Sequence, residues 1–225
     1  MKRMHLHITS LALLSLLLGA SCATESHRTL EAENVASYRT AYSGPVYELA
    51  VGKFNNSSPY MRGLFAEGPD RLGGQAKTIL ETHLAQTGRF VVLNRTNMDE
   101  LATESQLSGA AQELEGAKVV VTGEVTEFGR KTTGDRQFFG IFGRGKKQIA
   151  YAKVSLNVVD VTTSRIVYSS QGAGEYELSD REILGTGGNS GYDSTLNGKV
   201  LDLSVREAVN GLVRGLEEGR WSPVK

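Results

Sequence analysis

Several residue types are scarce in this 225-residue chain, and each scarcity excludes something. There is one cysteine, Cys22, so no internal disulfide can form. The histidines are His5, His7, His27 and His83, and none stands with other ligands at metal-binding spacing. A Ser/His/Asp constellation lacks a histidine near any strained nucleophile motif, and the acidic pair Glu217-Glu218 reads as a solvated helix end. Neither charge sign predominates: Lys2 and Arg3 are the only charges before Cys22, so the 25 basic residues become 23 beyond it, against 25 acidic ones. A net charge of −2 there offers no electrostatic reason to expect nucleic acid as a partner. The run Gly185-Thr186-Gly187-Gly188-Asn189-Ser190-Gly191 suggests a phosphate loop, but Gly198-Lys199 is followed by Val200, and Asp193 stands where the loop's first glycine belongs. The expectation is a protein that is not an enzyme and has no metal, cofactor or catalytic residue.

The N-terminus is the most informative segment. Met1-Lys2-Arg3 is followed by an apolar stretch from Ile8 to Leu18, too short to span a bilayer permanently, then by Gly19-Ala20-Ser21 and Cys22. This order is that of a lipoprotein export signal, with Gly19 in place of the usual leucine three residues before the cysteine. Residues 1–21 are expected to be cleaved and Cys22 acylated; several chains, at about 0.8 kcal/mol per buried methylene, hold a protein firmly at a membrane. Residues 22–45 are polar without a helical or strand period and are expected to form a tether.

The domain is expected over residues 46–221. Tyr47 to Phe54 alternates as a strand and is stopped by Asn55-Asn56-Ser57-Ser58-Pro59. Leu72, Ala76, Ile79, Leu80 and Leu84 share one helical face between Asp70 and Thr87, with Gly88 as C-cap and His83 at the border of that face. A short strand, Phe90–Leu93, precedes a second helix carrying Met98, Leu101 and Ala102, opened by a Thr96/Asp99 capping box. A further short helix is expected from Gly109 to Leu114, closed by Gly116. Ala117 to Phe128 is rich in β-branched residues, and Tyr151–Val161 with Arg165–Ser170 reads as a hairpin. Lys199 to Glu218 is an amphipathic helix ended by Gly219. The resulting fold class is α+β: a mostly antiparallel sheet with helices packed on one face. Gly129–Gln148 and Gly172–Ser194 stay outside this scheme and are expected to leave the sheet and return as two long hairpin extensions.

Four segments carry a resemblance. They are Thr87-Gly88-Arg89-Phe90 leading through Leu93-Asn94-Arg95 into the second helix, Gly123-Glu124-Val125-Thr126-Glu127-Phe128, Asn157 to Thr163, and Gly219-Arg220-Trp221. In order and spacing they resemble the CsgG/HfaB family, lipoproteins that include the curli secretion channel. The resemblance runs from about Tyr47 to Trp221. It implies a domain facing the periplasm, a lipid anchor in the outer membrane, and a homo-oligomeric ring whose subunits each send two β-hairpins into the membrane. It further implies that Phe138, Phe139, Ile141 and Phe142 form a membrane hairpin tip, and that Tyr60, Leu64 and Phe65 border a channel constriction, with Leu64 where the family's pore carries asparagine.

Two functions remain open. One is a secretion-channel component passing fibre or adhesin subunits, with a fibre subunit or accessory lipoproteins as partners. The other is a non-pore, lipid-tethered module that docks or activates an envelope partner such as a peptidoglycan synthase. The residues weigh on both sides. A membrane strand needs about 9–11 residues with alternate side chains apolar. Glu175, Glu177, Asp180, Arg181 and Glu182 interrupt that pattern in the second insertion, as do Lys146 and Lys147 in the first. Tyr60 and Phe65 are equally read as loop anchors packed on the core.

Overall fold

The computed structural model describes residues 32–60, 69–136, 144–182 and 195–223. Their elements, in order, are β1 (Tyr47–Asn56), α1 (Arg71–Gln86), β2 (Phe90–Leu93), α2 (Met98–Ser108), β3 (Val119–Arg136), β4 (Arg144–Asp160), β5 (Ile166–Glu182) and α3 (Thr195–Glu217). The class is α+β. One five-stranded sheet has the order β2-β1-β3-β4-β5. It is antiparallel along its three long strands, while β1 runs parallel to both β2 and β3, so the sheet is mixed. The parallel β1–β2 pair follows from the crossover through α1, which a tight turn could not provide.

Alternation explains the core. Leu49, Val51, Val119, Val121, Val154, Leu156 and Val158 project from one face of the sheet and are buried. They meet Leu72, Ala76, Leu80 and Leu84 of α1 and Val200, Leu201, Val205, Ala208, Val209 and Leu212 of α3. Helix α1 starts where Asp70 places Oδ1 2.8 Å from the Gly73 amide and Oδ2 2.6 Å from the Asn56 amide, so one carboxylate caps the helix and ties it to the end of β1. Gly88, at φ +67°, ends the turn after it.

Several expectations are corrected. His83 is buried, not at a border: Nε2 lies 2.9 Å from Oδ1 of Asp202 and Nδ1 3.1 Å from Oε1 of Gln86, joining α1 to α3. No capping box opens α2. Asn97 is its N-cap without a side-chain bond, and Asn94 Oδ1 instead accepts from the Thr96 and Asn97 amides. Gly109, left-handed at φ +70°, ends α2, and residues 109–117 contain no helix. The segment from Asn34 belongs to the domain's compact unit, so the second half of the expected tether packs on the body, with Val35 buried.

The long insertions differ most. Among the described residues the first is the outer part of an antiparallel β3–β4 pair, and the second begins as the outer half of β5, paired to β4. β3 and β4 keep antiparallel register to Arg136 opposite Arg144, and β5 continues along β4 until Glu182 meets the same Arg144. Residues 137–143 and 183–194 lie outside the described residues. Glycine at 172 and 174 is what the strand requires. A Cβ on Gly172 would stand 2.1 Å from the carbonyl oxygen of Ser204, and one on Gly174 2.7 Å from Cβ of Leu203. The backbone of α3 therefore lies directly on β5 at these two positions.

Gly172→Val is expected to lower the unfolding free energy by about 2–3 kcal/mol in urea titrations, because the clash is with helix backbone that cannot swing aside. Gly74→Ala, in open space on α1, is expected to be neutral or stabilising by up to about 1 kcal/mol.

Candidate functional site

The most elaborate polar arrangement among the described residues surrounds Arg89, the first residue after the left-handed Gly88 and the one before β2. That turn carries the side chain under the N-terminal segment 34–45. Arg89 is 3% exposed. Nε and Nη2 donate to Oε1 of Glu217 at 2.9 and 2.7 Å. Nη2 also donates to Oγ1 of Thr40 at 2.7 Å, and Nη1 to the carbonyls of Thr87, Ser37 and Thr40 at 2.7, 3.3 and 3.3 Å. A guanidinium has five N–H donors, and these acceptors use them all. The Tyr42 ring lies under the cation at 4.6 Å. Burial raises the Tyr42 pKa, Tyr47 and Glu217 act in the same sense, and the Arg89 charge opposes them.

Next to the guanidinium, the segment is held by Asn210 of α3, whose Oδ1 accepts from the Ala36 amide at 2.9 Å. Segment and body enclose a cleft of about 750 Å³ bordered by Arg89, Val213, Arg214 and Leu216. With every donor already engaged, Arg89 is not placed to grip a ligand or polarise a substrate; chemically it is a clasp. Beneath it, Trp221 donates from Nε1 to the Leu212 carbonyl at 3.0 Å, and its ring stacks on Phe90 at 6.3 Å and Tyr168 at 5.9 Å. The short motifs around Arg89 and Trp221 thus meet in space and close the same end of the fold.

The sequence-predicted residues fall elsewhere. Tyr60 is described: its ring packs on Phe128 at 4.6 Å, its carbonyl accepts from Nδ2 of Asn56, and its hydroxyl accepts from Nδ2 of Asn197 at 3.2 Å. It anchors the loop after β1 to the sheet and to α3. Cys22, Leu64, Phe65, Phe138, Phe139, Ile141 and Phe142 lie outside the described residues. Sequence reasoning missed the Arg89 clasp; the available signal was an arginine wedged between a helix-ending glycine and a buried phenylalanine. Among the described residues no helix is long and apolar enough to cross a membrane, and no group of three potential ligands could hold a metal.

Comparison with known proteins gives the family. The model of the curli production assembly/transport component CsgG family matches residues 41–224, and the chain belongs to that family. It is 64% identical over 202 residues to "Putative lipoprotein NMB1126/NMB1164" of Neisseria meningitidis serogroup B, covering 90% of this chain and 91% of that one. Among solved structures, the PelC dodecamer from Paraburkholderia phytofirmans is 16% identical with a TM-score of 0.35, covering 76% of this chain and 94% of its own. Lipoprotein GNA1162 from Neisseria meningitidis is 14% identical with a TM-score of 0.35, covering 77% of this chain and 99% of its own. The LpoB C-terminal domain from Salmonella enterica is 16% identical with a TM-score of 0.31, covering 58% and 84%.

Arg89→Met is expected to release the N-terminal segment. Chymotrypsin should then cut at Tyr38 and Tyr42 well before the body, and stability should fall by about 2–4 kcal/mol through unpaired buried carbonyls and loss of the ion pair. Unchanged cleavage kinetics would show that Arg89 does not hold the segment.

Proposed function

We propose that the protein is an outer-membrane lipoprotein, acylated at Cys22 with its domain facing the periplasm, and that it assembles into a ring serving the export of extracellular fibre or adhesin subunits. Membership of the CsgG family supports this reading. The observation that supports it is the length of β3, β4 and β5, strands of 17–18 residues that run on into the segments where the family resemblance implies membrane hairpins. In this reading Tyr60, Leu64 and Phe65 border the passage, and Phe138, Phe139, Ile141 and Phe142 form the membrane-directed tip. The ring works by passive gating, without cofactor or catalysis.

A second reading has its own observation. Successive strand residues alternate between the two sides of a sheet, so adjacent charges place one in each alternating set. Arg130-Lys131, Asp135-Arg136, Lys146-Lys147 and Asp180-Arg181-Glu182 do this repeatedly, leaving no apolar set as long as a lipid-facing strand needs. That favours a ribbon standing in water, and with it a lipid-tethered module that docks an envelope partner.

Planar-bilayer recording on protein extracted in detergent separates the two. The export reading expects stepwise ion conductance and a heat-labile ring on gels, with Phe65→Ala raising the single-channel conductance. Assemblies that never conduct would remove the pore and leave the docking module.

A further inference from the structure

The Arg89 clasp does not use the cleft between the N-terminal segment and α3. At about 750 Å³ it falls within the range of ligand sites, about 300–1,000 Å³. One wall is Ala41-Tyr42-Ser43-Gly44, which lies in no helix or strand. Among the described residues, the backbone N–H and C=O groups of these four make no hydrogen bond. The facing wall is α3, with Val213 and Leu216 buried at its base. On that wall Glu217 turns only Oε1 to Arg89, which leaves Oε2 open, and Arg214 has no contact with a carboxylate nearer than 3.8 Å among the described residues. Ser37 also borders the cleft, is 8% exposed, and its Oγ has no hydrogen-bond partner. A buried hydroxyl is costly to leave unpaired, and a bound molecule can satisfy it.

The kind of group left open indicates the ligand. Unpaired main-chain donors and acceptors on consecutive residues match those of another main chain whatever its sequence, as when a peptide adds to an open strand edge. Four residues reach over about 13 Å, so the contact is with a short extended stretch. The facing wall offers an apolar base, one cation and one open carboxylate oxygen, which suits mixed side chains and amides more than a ligand of a single charge. A folded protein has its main chain already paired, whereas an unfolded one presents it. We propose that the cleft binds an extended, unfolded polypeptide segment of another protein. Residues 41–44 pair with its backbone, and Ser37, Arg214 and Glu217 are the side-chain partners. The inference goes beyond the export and docking readings and does not require a ring.

The test is fluorescence anisotropy of labelled, reduced and carboxymethylated α-lactalbumin, an unfolded polypeptide, titrated with the full-length acylated protein in lipid nanodiscs. Native α-lactalbumin is the folded control. The unfolded form is expected to bind and the native form not to. Ala41→Trp, which fills the cleft from an exposed position, is expected to weaken binding at least about tenfold, with circular dichroism checking the fold. Leu107→Ser, at the exposed leucine of α2, is expected to leave binding unchanged and so separates the cleft from general apolar adhesion. Independently of both, Ser43→Cys places a thiol on the cleft wall, and bound polypeptide is expected to slow its alkylation severalfold. Absence of binding, equal binding of the native form, binding that survives Ala41→Trp in a folded protein or is lost with Leu107→Ser, and alkylation indifferent to the polypeptide would each overturn the proposal.

Discussion

A buried guanidinium is costly to desolvate, and the end of this fold nearest the N-terminus is organised around meeting that cost at Arg89. The acceptors come from three stretches of the chain: Ser37 and Thr40 of the N-terminal segment, Thr87 after α1, and Glu217 at the end of α3. Satisfying one side chain therefore fixes the relative positions of both core helices and the segment leading toward Cys22. Glu217 is 40% exposed, so water shares its charge, and the pair avoids the full penalty of two buried ions. The clasp makes residues 34–45 part of the body and leaves a short stretch between it and the cysteine.

At the other end the constraint is close approach of backbones. Gly172 and Gly174 let α3 lie against β5, which leaves the helix covering the inner halves of the long strands while their outer halves continue past Gly129 and Ala150. One sheet thus serves two environments. Its inner half is a valine-rich core layer, and its outer half is rich in glycine and charge. The change occurs within single unbroken strands, so a displacement of the ribbon is mechanically connected to the register of the core. The family match spans both halves.

How much of this was legible depended on period. Helices α1 and α3 and the inner strands declare themselves because their apolar residues repeat at 3.6 or 2 positions against a single buried face. The outer strands do not, since Arg130 to Arg136 and Lys146 to Gln148 carry no apolar alternation in the sequence and glycine lowers strand propensity; only pairing to neighbours makes them strands. The N-terminal segment was hidden for a similar reason, as it is held by backbone carbonyls and one valine and not by a periodic stripe. His83 was misplaced because its partner Asp202 lies 119 residues away. Of the motifs that carried the family resemblance, those around Arg89 and Trp221 form a helix cap and a clasp and the other two lie in β3 and at the end of β4, so they identified the fold without stating its chemistry.

The central claim is that a folded body, clasped by Arg89, hangs from a lipid at residue 22. Mass spectrometry of the N-terminal peptide of protein extracted from membranes tests it most directly. The account predicts a mature chain beginning at Cys22, with a diacylglycerol thioether on the sulfur and an acyl chain on the amine. A free thiol there, or a mature terminus at any other residue, would contradict it.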